Sequence, residues 1–284
     1  MDIDRRNVIA ALGGAAAVDA MSHEARAEAL EEYLAQQLDA SMAAKLGVPL
    51  TTPTVAELEA QIESRPFRKG VGTLFAVGAS TPFGNRVAGE ADHVLRLPPM
   101  PAKPALLDFF ELRFQPATHV LQSADKALTA GMPEEIVLAC LLHDTAHALM
   151  KADHGWWAAQ LYEPYVSPKV TFAIRYHQAL RFFPDKAFNY EYPGLYNKIF
   201  GKDYVPPDYI KHAHDYAKRH KWYEAARLVT VNDLYSFDPN HIVDPKKFTD
   251  IIGRHFKHPK EGLGYDNTAV AHMWRTIINP DVGL

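Results

Sequence analysis

From Ile136 to Leu142 every residue is apolar, and His143 and Asp144 follow at once. Pro133 and the acidic pair Glu134 and Glu135 supply the opening of a helix. The pattern predicts that this helix runs on to about Lys151. A helix that is hydrophobic on every face belongs in the middle of a bundle. A histidine and a carboxylate at the inner end of such a helix are costly unless they are paired or bind a metal. One segment therefore predicts both an all-α fold and a buried polar centre within it.

Composition narrows the classes that remain. At 284 residues and 48% hydrophobic content the chain can bury a full core. Its formal charge of -4, with both signs mixed along the sequence, lacks the basic stripe of a nucleic-acid binder. The single cysteine, Cys140, rules out an internal disulfide framework and a cysteine-rich zinc module. It falls inside the apolar run and reads as a buried thiol packed like a small hydrophobe. Fourteen histidines are many for this length, and histidine is the commonest metal ligand.

The chain divides at Leu97–Pro104, where four prolines make a stiff linker. Ahead of it, residues 28–104 read as an extension with helices from about Ser22 to Leu46 and from Thr54. The glycine-rich stretch from Arg65 to Arg96 reads as loop. Residues 1–27 fit two descriptions. Arg5-Arg6, the small apolar run Val8 to Val18 and Ala25-Arg26-Ala27 resemble a twin-arginine export signal, from which Asp4 and Asp19 depart. An alanine-rich helix docked on the body fits the same residues. The first description implies an exported or periplasmic protein, the second a cytoplasmic one. The apolar run is too short to span a bilayer, and no membrane association is expected.

After the linker the sequence is strongly helical. His119 to Ala130 is amphipathic, Ser167-Pro168 opens a helix through Phe183, Pro206-Pro207 opens another, and Trp222 to Tyr235 forms a further one. Residues 105–260 are expected to form the metal-binding domain, and 261–284 a C-terminal tail with a short helix.

Adjacent residues on a helix point about 100° apart. His143 and Asp144 thus suit a pair of metal ions better than a single one, with the carboxylate bridging both. His147 lies four residues after His143, on the same face. His-Asp-Thr-Ala-His also has the spacing of a zinc-protease motif, H-E-x-x-H. There the shorter Asp would misplace the general base, and the other inward histidines would go unexplained. His119, His154, His177 and Asp233 stand in contexts that suit further ligands, although Asn232 competes with Asp233 for the inward position. Four histidines and two carboxylates would make a six-ligand, two-metal cage. His212, His214, His220, His241, His255, His258 and His272 have no such context.

The order His119, His143-Asp144, His154, His177, Asp233 resembles the HD superfamily, in its dinuclear branch. Within that branch it is similar to the mixed-valent di-iron oxygenases, which include myo-inositol oxygenase and the phosphonate-cleaving HD oxygenases. Ile174-Arg175-Tyr176-His177, Asn232-Asp233-Leu234-Tyr235-Ser236 and Asp244-Pro245 to Phe256 look like the inositol enzyme. His143-Asp144-x-x-His147 and Asp153-His154 look more like the phosphonate enzymes. The similarity covers about residues 105 to 256. It implies an HD-domain helical bundle, with the N-terminal helical extension added. It also implies that the six residues hold two iron ions, Fe(II)/Fe(III), with Asp144 bridging. His147 and Arg181 stand where the phosphonate enzymes contact substrate. The arginine those enzymes place just before the last Asp is absent here, where Val229, Thr230 and Val231 stand.

The preferred expectation is therefore an oxygenase that uses O2 to activate a C–H bond of a small hydroxylated or anionic substrate. The alternative is a phosphohydrolase, with two divalent metal ions and with Arg175, Arg181 and His147 holding phosphate. A metal-stabilised helical binding protein without turnover is a third reading. The sequence gives no indication of oligomeric state.

Overall fold

The structure is a computed structural model that describes residues 99–114, 117–147, 153–194, 196, 203–234, 236, 238 and 240–279. The proposed export segment, the helices expected from Ser22 and Thr54 and the loop at 65–96 lie outside the described residues. Among those residues the chain forms nine α-helices and no strand. They are α1 (Leu106–Leu112), α2 (Thr118–Thr129), α3 (Glu134–Leu142), α4 (His154–Tyr162), α5 (Pro168–Leu180), α6 (Asp208–Arg219), α7 (Tyr223–Asp233), α8 (Thr249–His255) and α9 (Ala271–Ile278).

The punctuation read from sequence sets several of these starts. Pro133 stands at the N-cap of α3 and Pro207 at that of α6. Ser167 caps α5 by accepting from the Val170 amide, with Pro168 in the first turn. These positions suit residues that accept from, or do not need, the orphan amides of a first helical turn.

Helix α5 is the axis of the bundle, packed against α3, α4, α6 and α7, while α7 also lies on α2 and α3. Every residue of α3 from Ile136 to Leu142 is buried. The all-round apolar run is thus covered on each side, with α2, α5, α7 and α8 around it. Burying a leucine-sized side chain contributes about 1.5–3 kcal/mol, so this helix is a main source of core stability.

The helix does not continue to Lys151 as expected. Regular α-helix ends at Leu142, and residues 143–147 form turns closed by Thr145 N–H to Leu142 O (3.3 Å) and His147 N–H to Asp144 O (3.0 Å). The Thr145 hydroxyl also donates to Leu142 O (2.9 Å). A side-chain donor thus competes for a carbonyl that a continuing helix would use. Helix α5 likewise ends at Leu180, short of Phe183.

The C-terminal segment carries the expected short helix, α9, which packs into the core. Trp274 of α9 is fully buried and donates from its indole to Leu161 O (3.2 Å). It also meets the Phe109 ring edge-on at 5.3 Å. Arg113 ties α1 to the end of α9 through Nε to Ile278 O (2.8 Å).

Candidate metal centre

Five segments deliver one polar cluster into this apolar bundle. His119 is the second residue of α2, and His143 and Asp144 follow the end of α3. His154 opens α4, His177 sits in the last turn of α5, and Asp233 is the last residue of α7. All six are buried, with none more than 5% exposed. Because α3, α5 and α7 pack on one another, their C-terminal ends meet at a single point.

The contacts fall into two groups that share Asp144. His119 Nε2 lies 2.9 Å from Asp233 Oδ1 and 3.4 Å from Asp144 Oδ2. His143 Nε2 lies 3.4 Å from Asp144 Oδ1 and 3.5 Å from Asp233 Oδ1. On the other side, Asp144 Oδ1 lies 3.0 Å from His154 Nε2 and 3.3 Å from His177 Nε2, and these two nitrogens are 3.2 Å apart. His119, His143, Asp144 and Asp233 could hold one metal ion, and Asp144, His154 and His177 a second.

The protein's own hydrogen bonds prepare the nitrogens that face inward. His143 Nδ1 donates to Cys140 O (2.7 Å), and His177 Nδ1 donates to Ile174 O (2.6 Å). His119 Nδ1 does the same to Ser236 O (3.2 Å). A carbonyl oxygen can only accept, so each ring carries its proton on Nδ1 and turns Nε2 toward the centre. Metal-ligating histidines are ordinarily oriented in this way. Thr230 Oγ1 donates to the His177 carbonyl (2.7 Å), and Tyr162 Oη donates to Thr145 Oγ1 (2.8 Å), bracing the backbone on either side.

The electrostatics favour cations between the carboxylates. Burial pushes both acids toward the neutral form, yet each is held well below the usual carboxylate range. His143 and His154 do this for Asp144, and His119 and His143 for Asp233. Burial also works against a charge on His119, but Asp144 and Asp233 outweigh it and raise the ring to about 10. His177 is lowered, chiefly by burial, which keeps it neutral. His143 Nε2 and Asp144 Oδ1 are buried and make only the close contacts given above, with no hydrogen bond of good geometry among the described residues. Such orphaned atoms cost about 1–3 kcal/mol each, more for a charged group. A bound metal ion would remove that cost, so the donor set is one that could hold metal.

The structure brings together all six residues read as ligands. It chooses Asp233 over its neighbour: Asn232 instead donates to Leu228 O (2.7 Å) and Met132 Sδ (3.2 Å). His147 is fully buried with its ring centroid 4.9 Å from that of His154, beside the second group but outside it. Arg181 is buried at the C-cap of α5, its guanidinium carbon 5.0 Å from the Phe182 ring centroid. Arg175 is not brought to the centre. It is exposed on α5, and two residues from His177 is about 200° around a helix.

Sequence reading missed Gly155, Gln178 and Lys126. Gly155 lets the start of α4 lie against α5, and its amide donates to Gln178 Oε1 (3.3 Å). Lys126 Nζ donates to Asn232 O (3.1 Å), beside Asp233. The only signal for Gly155 was a side-chain-free residue directly after His154.

In comparisons with known proteins, no family model matches the chain, and no curated protein matches it. The fold and the site by themselves define a helical protein with a buried histidine–aspartate cluster able to hold metal.

Proposed function

We propose that this protein is a dinuclear HD-type metalloenzyme, a di-iron oxygenase acting on a small hydroxylated or anionic substrate. The observation that carries the reading is the asymmetry of the two groups around Asp144. One has four protein donors, while the other has two histidines and one carboxylate. Two histidines and one carboxylate, with positions left open, are the donor set of non-haem iron oxygenases.

In this reading His119, His143, Asp144 and Asp233 would hold one ion, and Asp144, His154 and His177 the other. An iron pair would supply the one-electron chemistry through which O2 attacks a C–H bond. The chain contributes ligation, orientation and a water-poor site. His147, buried beside His154, would hydrogen-bond a substrate held at the second ion. Arg181, four residues after His177 at the C-cap of α5, would supply a buried cation for an anionic substituent. The resemblance of the ligand order to the HD oxygenases supports the same assignment.

The test is anaerobic purification with metal counting and EPR. Two irons per chain and a mixed-valent signal that changes on adding hydroxylated or phosphorylated small molecules are expected. Two redox-inert ions with phosphate release would instead establish the hydrolase. His177→Ala should retain one ion rather than two; full retention would remove His177 from the ligand set. The N-terminal segment agrees with export after metal loading, and N-terminal sequencing of an exported fraction should find Met1 and the run Val8 to Val18 removed.

A further inference from the structure

The helix that delivers His177 inward forms, with its opposite side, one wall of a separate cleft. This cleft has a volume of about 400 Å³ and lies between α4, α5 and α6. That volume is within the range of small-molecule sites, roughly 300–1,000 Å³. Trp156 of α4, Tyr176 of α5, and Tyr209 and Tyr216 of α6 give it four aromatic rings. Tyr176 and Tyr216 already face each other with centroids 5.4 Å apart.

Two opposite charges share this cleft. Asp153, the N-cap of α4, and Arg175 of α5 both line it. Neither head group is in an ion pair among the described residues. The α4 start and the α5 backbone are nonetheless close: a Cβ on Gly155 would stand 3.2 Å from Arg175 O. Asp153 is also held at φ 63°, a left-handed conformation that Asp and Asn adopt more readily than most residues. The Arg175 guanidinium carbon lies 5.7 Å from the centroid of Tyr176, a ring that lines the same cleft.

We propose that this cleft is a second ligand site, distinct from the metal centre, for a small aromatic zwitterion. The ligand's ammonium would pair with Asp153, its carboxylate with Arg175, and its ring would stack among Trp156, Tyr209 and Tyr216. A simple anion would meet Asp153 and a simple cation Arg175, so only a molecule carrying both charges satisfies both walls. Aromatic rings at the rim hold a planar group in offset or edge-to-face contact.

Calorimetric titration of the full chain with L-tryptophan, indole-3-propionate and tryptamine tests this. Saturable one-to-one binding of L-tryptophan is expected. Each analogue should be weaker by about tenfold or more, the value of one charge-assisted hydrogen bond. Arg175→Ala should remove the preference over tryptamine. Asp153→Asn, which keeps the left-handed backbone, should remove the preference over indole-3-propionate. Tyr209→Ala, at an exposed position, should weaken all three. Metal content measured on each variant separates this site from the centre, since binding should weaken at unchanged metal count. No saturation by about 10 mM, equal binding of the three probes, or binding untouched by the Arg175 and Tyr209 changes would each overturn the proposal, about 10 mM corresponding to under 3 kcal/mol of affinity.

Discussion

A Cβ on Gly155 would stand 2.9 Å from the Ile174 carbonyl oxygen and 3.2 Å from Cε1 of His177. The first of these is backbone and cannot step aside. The carbonyl also accepts the Nδ1 proton that aims His177 inward. Gly155→Ala therefore pushes α4 from α5 at the point where His154 and His177 must meet. It should cost about 1–3 kcal/mol, typical of overpacking, and reduce metal content from two ions to one. Gly253→Ala is the control: nothing lies within 4 Å of its added Cβ on α8. That change should be neutral or stabilise by up to about 1 kcal/mol. Thermal melts with metal analysis on both variants check the contrast. Equal metal content in wild type and Gly155→Ala would mean that the second group does not depend on the α4–α5 approach.

At the scale of helices, α3 is positioned at both ends. His143 and Asp144 follow its far end, while Glu134 in its first turn binds Arg254 Nη2 (2.6 Å) and His255 Nε2 (2.8 Å) of α8. Those hydrogen bonds, Arg254 first, pull the Glu134 carboxyl down to about 2 from its ordinary 4.5. An acid with a depressed folded pKa contributes stability above its unfolded value and loses it as pH falls through the folded one. The stability gap between wild type and Glu134→Gln should thus be full above about pH 5 and close toward pH 2. Because the pair is exposed, the gap will be small and reduced by salt. Melts from pH 6 to 2.5 read it, and a gap that persists unchanged in acid would mean that the carboxylate charge is not its source. The same helix shows what sequence could and could not convey. The run Ile136–Leu142 announced a buried helix, and polar residues at its inner end announced a centre. Its C-terminus was not legible, because the stop depends on the Thr145 hydroxyl taking the Leu142 carbonyl, braced by Tyr162 from seventeen residues away. The residues of the cluster were legible because histidines and carboxylates beside apolar runs are conspicuous. Gly155 and Gln178 were not, since a close approach between two helices leaves no periodic mark. Arg175, two residues from His177, lies on the other side of the helix, a separation that closeness in sequence does not show.

For the whole molecule, the centre lies where the ends of α3, α5 and α7 meet the starts of α2 and α4, so it pins most of the bundle together. Unfolding separates these segments by many residues of chain, from His119 to Asp233, and no comparable cage survives in the unfolded state. Metal that binds only the folded chain adds stability by mass action, about 4 kcal/mol when free metal is a thousandfold above its dissociation constant. In a domain of this size each kcal/mol moves the melting temperature by roughly 2–4 °C. Removal of metal by a chelator should then lower the melting temperature by about 8–16 °C, and readdition should restore it. The loss should not be complete, because the apolar core around Trp274, Phe109 and α3 contains no ligand and stays buried without metal. Calorimetry with and without chelator measures both expectations. A melting temperature indifferent to metal would show that the six residues pair among themselves as a structural polar network. A chain unfolded by the chelator would show that burying two carboxylates and four histidines costs more than the apolar core can offset alone.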